Sequence, residues 1–395
     1  MLQHAYIPYK GYFSSPFSKW QGTLSNDNSI VLGAETAKRW FADKGIDAGM
    51  FDYNYHGMTV VQKQCFYGST WSAALMGMQV PGMTVMQACS TTTTCVQLAA
   101  MAVEAGTQKM PFCFMADRMS NAPHLIWPNP KGPGGEVIAE NWAMDNFGAD
   151  PVTGKAMLVA AENVAKLAGA TREQADELVL RRYEQYQDAL KDGRAFQKQY
   201  MYPVEVKINK RKTIVFEEDE GITPVTREGV SGLRNVLPDG IHTYAHQTHP
   251  ADGNAGIIVT DKSRAMELSP DPDKTIQILS YGYARVEPAH MPAAPVPATK
   301  MALQDAGLKI EDMKVIKTHN PFAANDLYFA KEFNIDVNSM NNYGCSMIFG
   351  HPQAPTVARL LIEGIEEAVM LGGGYVLITG CAAGDTGASL ILKVS

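Results

Sequence analysis

Two stretches of the chain, AKRWFADKGIDAGMFDYNYH at residues 37–56 and TKMALQDAGLKIEDMKVIKTH at residues 299–319, share one pattern. Each pattern is typical of a helix that stops at a glycine, followed by a short acidic turn and a strand that ends in histidine. The two glycines, Gly45 and Gly307, lie 307 − 45 = 262 positions apart. The chain therefore contains two similar halves, and alternating strand and helix patterns along it predict a layered α/β fold.

The composition is that of an ordinary globular protein, large enough for two or three domains or for one large layered unit. Of the 395 residues, 46% are hydrophobic, and the net charge is 34 − 41 = −7. This acidic balance argues against a general affinity for nucleic acid or for anionic membranes. No stretch approaches the ~18 apolar residues of a membrane span, and the N-terminus lacks a signal-peptide pattern. We therefore expect a cytoplasmic protein.

The cysteines show no spacing that is typical of a metal site. They form neither a CxxC pair nor a short cluster with histidine, so we expect reduced thiols and no structural zinc. The six are Cys65, Cys89, Cys95, Cys113, Cys345 and Cys381.

Cys89 differs from the other cysteines by its position. It stands directly before a helical pattern, from about Thr91 to Glu104, that carries no charge as far as Val103 and should be buried. Ser90 and the threonines that follow it could cap the exposed N–H groups of this helix, and the helix dipole would favour the thiolate. A buried cysteine is more often inert, so position alone makes Cys89 a candidate nucleophile and no more.

The repeat gives Cys89 a partner. The same offset carries Cys89 onto His351, since 351 − 89 = 262, and His351 also precedes a helical pattern. We expect the two side chains to face each other across a pseudo-twofold axis, where the histidine could take the thiol proton. The alternative, a core histidine with a purely structural role, stays open at this point.

Two further residues could complete a site. His319 ends a strand pattern and could donate a hydrogen bond to an enolate oxygen, although its counterpart in the repeat, His56, indicates that such a histidine can be structural. Cys381 lies in a turn rich in glycine and alanine between two buried strands, and a second thiol suits proton transfer at carbon. A tetrahedral metal site made of these two residues with Cys89 and His351 is an alternative. It would consume the nucleophile, so we expect no metal.

The residues singled out above, with the sequence motifs around them, resemble the thiolase family in order and spacing over essentially the whole chain. HNPFAAND, which contains His319, is similar to the His-type motif of archaeal and sterol-carrier-type thiolases, where many thiolases have Asn-Glu-Ala-Phe. The other motifs that carry the resemblance are GMTVMQACSTTTTC, MSNAPH, AENVAKLAGATREQADE, PVPATKMALQDAGL, GHP and the cysteine-containing turn CAAGDTG.

The resemblance implies the five-layer αβαβα thiolase fold, built from two similar halves with an inserted loop domain. The N-terminal half would span residues 1–117, completed by about 251–268, and the C-terminal half residues 269–395. The loop domain, residues 118–250, would cover the CoA site. Residues from about 117 to 146 are rich in Pro, Gly, Asn and Trp, which predicts irregular structure there.

The resemblance also implies a role for each candidate residue. Cys89 would carry the acyl group, His351 would activate it, and Cys381 would be the acid/base at carbon. His319, with His351, would complete the first oxyanion hole through a bound water, and the backbone N–H groups of Cys89 and Ala383 would form the second. Contacts to CoA are implied at Met119, Met157, Thr248 and Phe322. CoA would be a substrate, with no permanently bound cofactor.

Several positions depart from the family pattern. Asp117 stands where a glutamate is usual, and residues 244–253 read YAHQTHPADG in place of AGNASGINDG. Ala156 replaces the histidine of short-chain biosynthetic thiolases, and Phe114 and Met115 replace two glycines. The bulky residues among these changes, Phe114, Met115 and Tyr244, together with the aromatic-rich stretch HLIWPNP, favour a bulky or aromatic substrate, and benzoylsuccinyl-CoA is one candidate. The change at Ala156 weakens a short-chain acetoacetyl-CoA role.

The implied activity is thiolytic cleavage of a 3-oxoacyl-CoA, or the reverse Claisen condensation. Three alternatives stay open: an archaeal-type acetoacetyl-CoA C-acetyltransferase, a condensing enzyme similar to ketoacyl synthases that uses Cys89, His319 and His351, and a non-catalytic acyl-CoA-binding subunit. The resemblance implies a homodimer or a dimer of dimers, with a small zinc-ribbon/OB-fold subunit as a further partner.

Overall fold

The computed structural model describes all 395 residues, Met1–Ser395. The strands are β1 (Tyr6–Pro8), β2 (Tyr12–Ser14), β3 (Ser18–Lys19), β4 (Tyr53–Gly57), β5 (Gly82–Val85), β6 (Pro111–Arg118), β7 (His124–Pro128), β8 (Val137–Asn141), β9 (Val204–Asn209), β10 (Lys212–Phe216), β11 (Ala251–Ile258), β12 (Thr275–Arg285), β13 (Met313–His319), β14 (Gly374–Ala382) and β15 (Thr386–Val394). The α-helices are α1 (Ser29–Lys44), α2 (Gly68–Met76), α3 (Thr91–Glu104), α4 (Met144–Gly148), α5 (Met157–Ala168), α6 (Arg172–Arg194), α7 (Arg227–Ser231), α8 (Lys262–Leu268), α9 (Pro295–Ala306), α10 (Ala323–Phe333), α11 (Ser346–Phe349) and α12 (Ala354–Met370).

Two sheets that share a four-stranded core, β2-β11-β6-β4 in one and β12-β15-β14-β13 in the other, form the body of the protein. One has the order β2-β11-β6-β4-β5, with β3 also paired to β11, and the other has the order β1-β12-β15-β14-β13. Both sheets contain an equivalent parallel pair, β4 with β6 and β13 with β14, and in the first sheet β5 also pairs with β4 in parallel. In each sheet the next two pairs are antiparallel, β6-β11-β2 and β14-β15-β12. The two similar halves predicted from the repeat are therefore confirmed.

The helices add three layers to these sheets. Helices α3 and α12 pack against each other between the two sheets, within a core that includes Val96, Leu361 and Val376. Helices α1 and α2 cover the outer face of the first sheet, and α9 and α10 cover the outer face of the second. The predicted five-layer αβαβα arrangement is confirmed. None of the helices combines the length and the apolar character that crossing a lipid bilayer requires.

The helix stops that revealed the repeat have one physical cause. Gly45 after α1 and Gly307 after α9 both adopt the left-handed conformation, each with φ of 67°. In each case the glycine N–H bonds back to carbonyl groups of the last helical turn. Glycine reaches this conformation without the steric cost that a Cβ would add, so both helices end at the equivalent place.

The prediction of irregular structure near residues 117–146 is wrong in part. Strands β7 and β8 form an antiparallel ribbon within this segment, followed by the short helix α4. Ile126 and Val137, on the two strands, are both largely exposed. Because neither face of the ribbon is buried, its sequence shows no alternation of apolar and polar residues by which a strand could be predicted.

Candidate active site

The Cys89 thiol lies at the meeting point of the two halves. A tight turn, Ala88–Ser90, presents it directly before α3, and Ala88 adopts a positive φ of 46° there. The Cys89 side chain is only 9% exposed. Its Sγ lies 3.0 Å from Nε2 of His351 and 3.5 Å from Oε1 of Gln353. The structure thus brings Cys89 and His351 together, as the 262-residue offset indicates.

His351 is held in an orientation that suits a proton acceptor. Its backbone N–H donates to the carbonyl of His249 at 2.8 Å, and its Nδ1 lies 2.6 Å from Oγ1 of Thr356. When Nδ1–H donates to the Thr356 hydroxyl, the neutral imidazole keeps its lone pair on Nε2, facing the Cys89 thiol.

Burial sets the protonation states of this pair. It raises the pKa of the Cys89 thiol to about 12, against hydrogen bonding from the backbone N–H groups of Cys89 and Ala383. Burial, with the nearby His319 ring, also lowers the pKa of His351 well below its usual range. Burial thus acts against the stabilisation of the thiolate that the helix N-terminus led us to expect. The resting pair is a thiol and a neutral imidazole.

The threonines after Cys89 do not cap α3 as expected. No side-chain oxygen of the N-cap residue Ser90 accepts from the helix. The hydroxyl of Thr93 donates to the Ser90 carbonyl, and that of Thr92 donates to the carbonyl of Ala354 at 2.5 Å. This second bond ties the start of α3 to the start of α12.

His319 lies beside this pair, with its ring centroid 4.2 Å from that of His351. Its Nδ1 is 2.9 Å from Oγ of Ser346, whose hydroxyl donates to Oδ1 of Asn320. His319 Nδ1–H therefore donates to Ser346, and its Nε2, which is buried and has no partner, carries a lone pair. Burial lowers the pKa of His319 to about 3, so the ring stays neutral. A neutral ring of this tautomer can accept a hydrogen bond from a water but cannot itself donate from Nε2.

Cys381 is fully buried at the end of β14. The side-chain amide of Asn325 donates to its Sγ at 3.2 Å, and Asn325 is itself fixed by accepting the N–H of Phe322. Burial and then the nearby Cys89 raise the pKa of Cys381, and the Asn325 amide opposes this shift. Cys381 packs with Phe322 and Met291 next to the cavity described below.

A cavity of about 520 Å³ opens in front of Cys89. All four predicted CoA contacts lie on its wall, namely Met119, Met157, Thr248 and Phe322, together with Cys89, His351 and Ala383. Cys381 and His319 are not among the lining residues. Sequence reasoning missed Trp142, Phe147 and Asn146, which line the cavity from the segment after the β7–β8 ribbon. The aromatic content of that segment is the only signal that could have indicated them.

Asp117 was noted from sequence only as a departure from the family pattern. It is fully buried at the end of β6, and its carboxylate accepts the N–H groups of Thr59, Val60 and Ala354 at 2.8–3.0 Å. Burial raises its pKa to about 7, against these hydrogen bonds. Asp117 thus joins the turn before the cavity to the first residue of α12, close to His351.

The four-residue metal site considered from sequence is not assembled. The ligand atoms of Cys89, His319 and His351 lie within 4.8 Å of one another, but Cys381 does not belong to this group. The three atoms could approach one ion, which would then occupy the thiol. That the site works without a metal stays a prediction.

Comparison with known proteins places this geometry in context. The thiolase N-terminal domain family matches residues 13–263, and the thiolase C-terminal domain family matches residues 273–394. The acetyl-CoA acetyltransferase of Escherichia coli is 30% identical over 383 residues, which is 95% of each chain. The beta-ketothiolase BktB of Cupriavidus necator is 30% identical over 320 residues, or 79% of each chain.

Solved structures share the fold along the entire chain. The acetyl-CoA acetyltransferase of Bacillus anthracis superposes with a TM-score of 0.89 at 24% identity, covering 100% of this chain and 99% of that one. Human mitochondrial 3-ketoacyl-CoA thiolase in complex with CoA also has a TM-score of 0.89, at 22% identity and with 100% and 98% coverage. At these identities the likeness concerns the fold alone.

Proposed function

The chain belongs to the thiolase family, and from that premise we propose that Cys89 carries an acyl group between CoA thioesters of 3-oxo acids. As a thiolase the protein is an acyltransferase that takes CoA as a substrate and needs no permanently bound cofactor. The observation that carries the proposal is the Cys89–His351 contact of 3.0 Å at the wall of the cavity. A nucleophile with a base in reach, beside a space for the acyl chain, is what acyl transfer requires.

In the degradative direction the reaction has two steps. Cys89 Sγ gives its proton to His351 Nε2 and attacks the 3-oxo carbonyl, and the bond between C2 and C3 then breaks. The leaving enolate of the shorter acyl-CoA takes a proton from Cys381. The thiol of free CoA then gives its proton to the Cys381 thiolate and attacks the acyl-Cys89 thioester. The second acyl-CoA is released, and His351 returns its proton to the Cys89 sulfur.

Hydrogen-bond donors near Cys89 support this assignment. The backbone N–H groups of Cys89 and Ala383 are both near the sulfur, where they could stabilise the oxyanion on the carbonyl that Cys89 attacks. For the enolate oxygen, the unpartnered Nε2 of His319 would bind a water, and that water would donate its other proton to the oxygen. His351, once protonated, would be the second donor.

We further propose a bulky or aromatic acyl group, of which benzoylsuccinyl-CoA is one example. The cavity wall contributed by the loop domain, proposed at residues 118–250, contains the rings of Trp142 and Phe147. No lysine or arginine lines the cavity, so a second carboxylate on the substrate would have to be bound by amides such as those of Asn146 and Gln247.

The proposed assembly is a homodimer or a dimer of dimers. Strand β5 is an unpaired edge of its sheet, and the side chains of Met83 and Met86 on or beside it are about half exposed. Met86 also lines the cavity, so a second copy at this edge would cover one side of the site. The small zinc-ribbon/OB-fold partner is proposed from the family resemblance alone. Light scattering of the purified chain, with and without proteins that co-purify, tests both.

Thiolytic activity tests the main proposal. Purified enzyme would be given CoA and 3-oxoacyl-CoAs of increasing bulk, and the loss of the 3-oxo thioester measured. Cys89→Ala should lower kcat by at least about 1,000-fold, because the nucleophile is lost, and Cys381→Ala by about 100- to 10,000-fold. Cys65→Ala is the matched control, since Cys65 lies outside the cavity.

Two outcomes would redirect the assignment. Full turnover by the Cys89→Ala variant would rule out a mechanism through an acyl-cysteine intermediate. Full carbon–carbon activity in Cys381→Ala would instead favour the condensing enzyme that uses Cys89, His319 and His351, whose reactive atoms already lie within 4.8 Å of one another.

A further inference from the structure

Gln353 adopts an unusual backbone conformation next to the reacting atoms. Its φ and ψ are 63° and −109°, which a residue with a Cβ rarely adopts. Neighbouring hydrogen bonds hold it there. The N–H of Thr356 bonds to the Gln353 carbonyl at 3.1 Å, and the N–H of the next residue, Ala354, bonds to Asp117 at 2.9 Å. Strain maintained in this way is common where a side chain must be aimed at a site.

The strained backbone directs the Gln353 side chain at the catalytic pair. The side chain is 3% exposed and lines the cavity. Its Oε1 lies 3.5 Å from Cys89 Sγ, at a distance where it can accept a hydrogen bond from the thiol. Burial and the nearby His319 lower the pKa of His351, and a contact with the Gln353 amide opposes them. The same amide therefore contacts both members of the pair.

The other end of this amide is free. Gln353 Nε2 forms no hydrogen bond within the protein, whereas Oε1 faces the sulfur. The thiol has one proton, which it can donate to Gln353 Oε1 or to His351 Nε2, but a thiolate only accepts. Once the Cys89 proton has moved to His351 Nε2, the favourable partner for the sulfur is the amide N–H. A half-turn of the terminal amide exchanges the two ends without moving the rest of the side chain.

We propose that Gln353 is a further catalytic residue, whose amide turns its Nε2–H group towards Cys89 and stabilises the thiolate formed by proton transfer to His351. The proton leaves sulfur for Nε2 of His351, and no other atom is gained or lost. This inference rests on the proposed function, since it assumes that Cys89 is the nucleophile. A catalytic role for Gln353 explains why a polar residue is buried in the wall of a largely apolar cavity.

The rate of Cys89 alkylation by iodoacetamide tests the proposal without needing the natural substrate. Because only the thiolate reacts, the rate at a fixed pH reports how well the protein stabilises that form. Gln353→Leu keeps most of the side-chain volume and removes the amide. Gln353→Met does the same with an adaptable, unbranched chain, so it carries the test if the branched replacement does not fold. Gln97→Met is the control, since Gln97 lies on α3 but does not line the cavity.

Loss of a hydrogen bond to a charged group should slow alkylation about 10- to 100-fold between pH 7 and pH 9 in both Gln353 variants. Gln97→Met should react at the wild-type rate. Alkylation of either folded Gln353 variant within about twofold of wild type across this range would overturn the role of Gln353. Failure of the wild-type enzyme to label at Cys89 at all, shown by peptide mapping, would instead contradict the proposed function itself.

Discussion

Replacing Arg182 with methionine should destabilise the protein strongly, because Arg182 is the positive partner in a fully buried ion pair. The guanidinium on α6 donates two hydrogen bonds to Oδ2 of Asp326 on α10, at 3.1 and 3.0 Å. It donates three more, to the Gln185 side chain and to the carbonyls of Met340 and Val337, at 2.8–2.9 Å. Both charged side chains are 0% exposed.

The size of the effect follows from what Arg182→Met leaves behind. Asp326 would stay buried without a countercharge, which typically costs about 3–5 kcal/mol. Neutral donors from Asn320 and Asn341 would remain on its carboxylate. An unfolding entropy of ~2.1 cal/mol/K per residue gives ~0.8 kcal/mol/K for the 395 residues. The melting temperature should therefore fall by about 4–6 °C.

Differential scanning calorimetry measures this shift, and the neighbouring residue is the matched control. Arg181 forms an exposed pair with Glu184 on the same helix, at 3.4 Å. Arg181→Met should shift the melting temperature by less than about 1 °C, because exposed pairs contribute little. If Arg182→Met also melted within about 1 °C of wild type, the reasoning that this buried charge needs its partner would be refuted.

Three further predictions concern the site. Asn325→Ala and the isosteric Asn325→Asp should each lower kcat about 10-fold or more with little change in KM, since both remove the donor to Cys381 Sγ. An unchanged kcat in both variants would contradict a role for the Asn325 amide in catalysis. Cys89 alkylation by iodoacetamide should rise about tenfold per pH unit from pH 6 to pH 9, because burial raises its pKa to about 12 and the thiolate fraction grows with pH up to that value. An alkylation rate that stops rising below pH 8 would contradict the raised pKa of Cys89. Phe147→Ala should raise the ratio of kcat/KM for bulky over short-chain 3-oxoacyl-CoAs at least about threefold, since it removes a ring from the cavity wall; a falling ratio would argue against a substrate pocket there.

The fold was predictable because its signals are local and occur twice. Gly45 and Gly307 end equivalent helices through the same left-handed turn, which a sequence pattern can show. The same offset placed Cys89 and His351 at the starts of α3 and α12. Those two helices pack together between the sheets, so equivalent residues at their ends come into contact. In this duplicated fold, the spacing of two equivalent residues in the sequence was therefore enough to predict that they lie close together.

The residues that sequence reasoning missed depend on long-range geometry. Gln353 reaches a residue 264 positions away through a backbone conformation that no local pattern predicts. The raised pKa of Cys89 reflects burial by the whole fold, whereas the helix end that suggested a thiolate is local. The β7–β8 ribbon lacks the buried face from which strands are usually predicted. In each case the deciding interaction appears only after the two halves have come together.

The most direct test of the central claim is the intact mass of the enzyme after brief exposure to an acyl-CoA that it accepts. The account predicts that wild type and Cys65→Ala gain the mass of one acyl group, that peptide mapping places this group on Cys89, and that free CoA removes it. Cys89→Ala should gain nothing. An acyl group found on another residue would contradict the claim that Cys89 carries the acyl group. So would the absence of any acylated enzyme in the exposure without CoA, if the same preparation turns over once CoA is supplied.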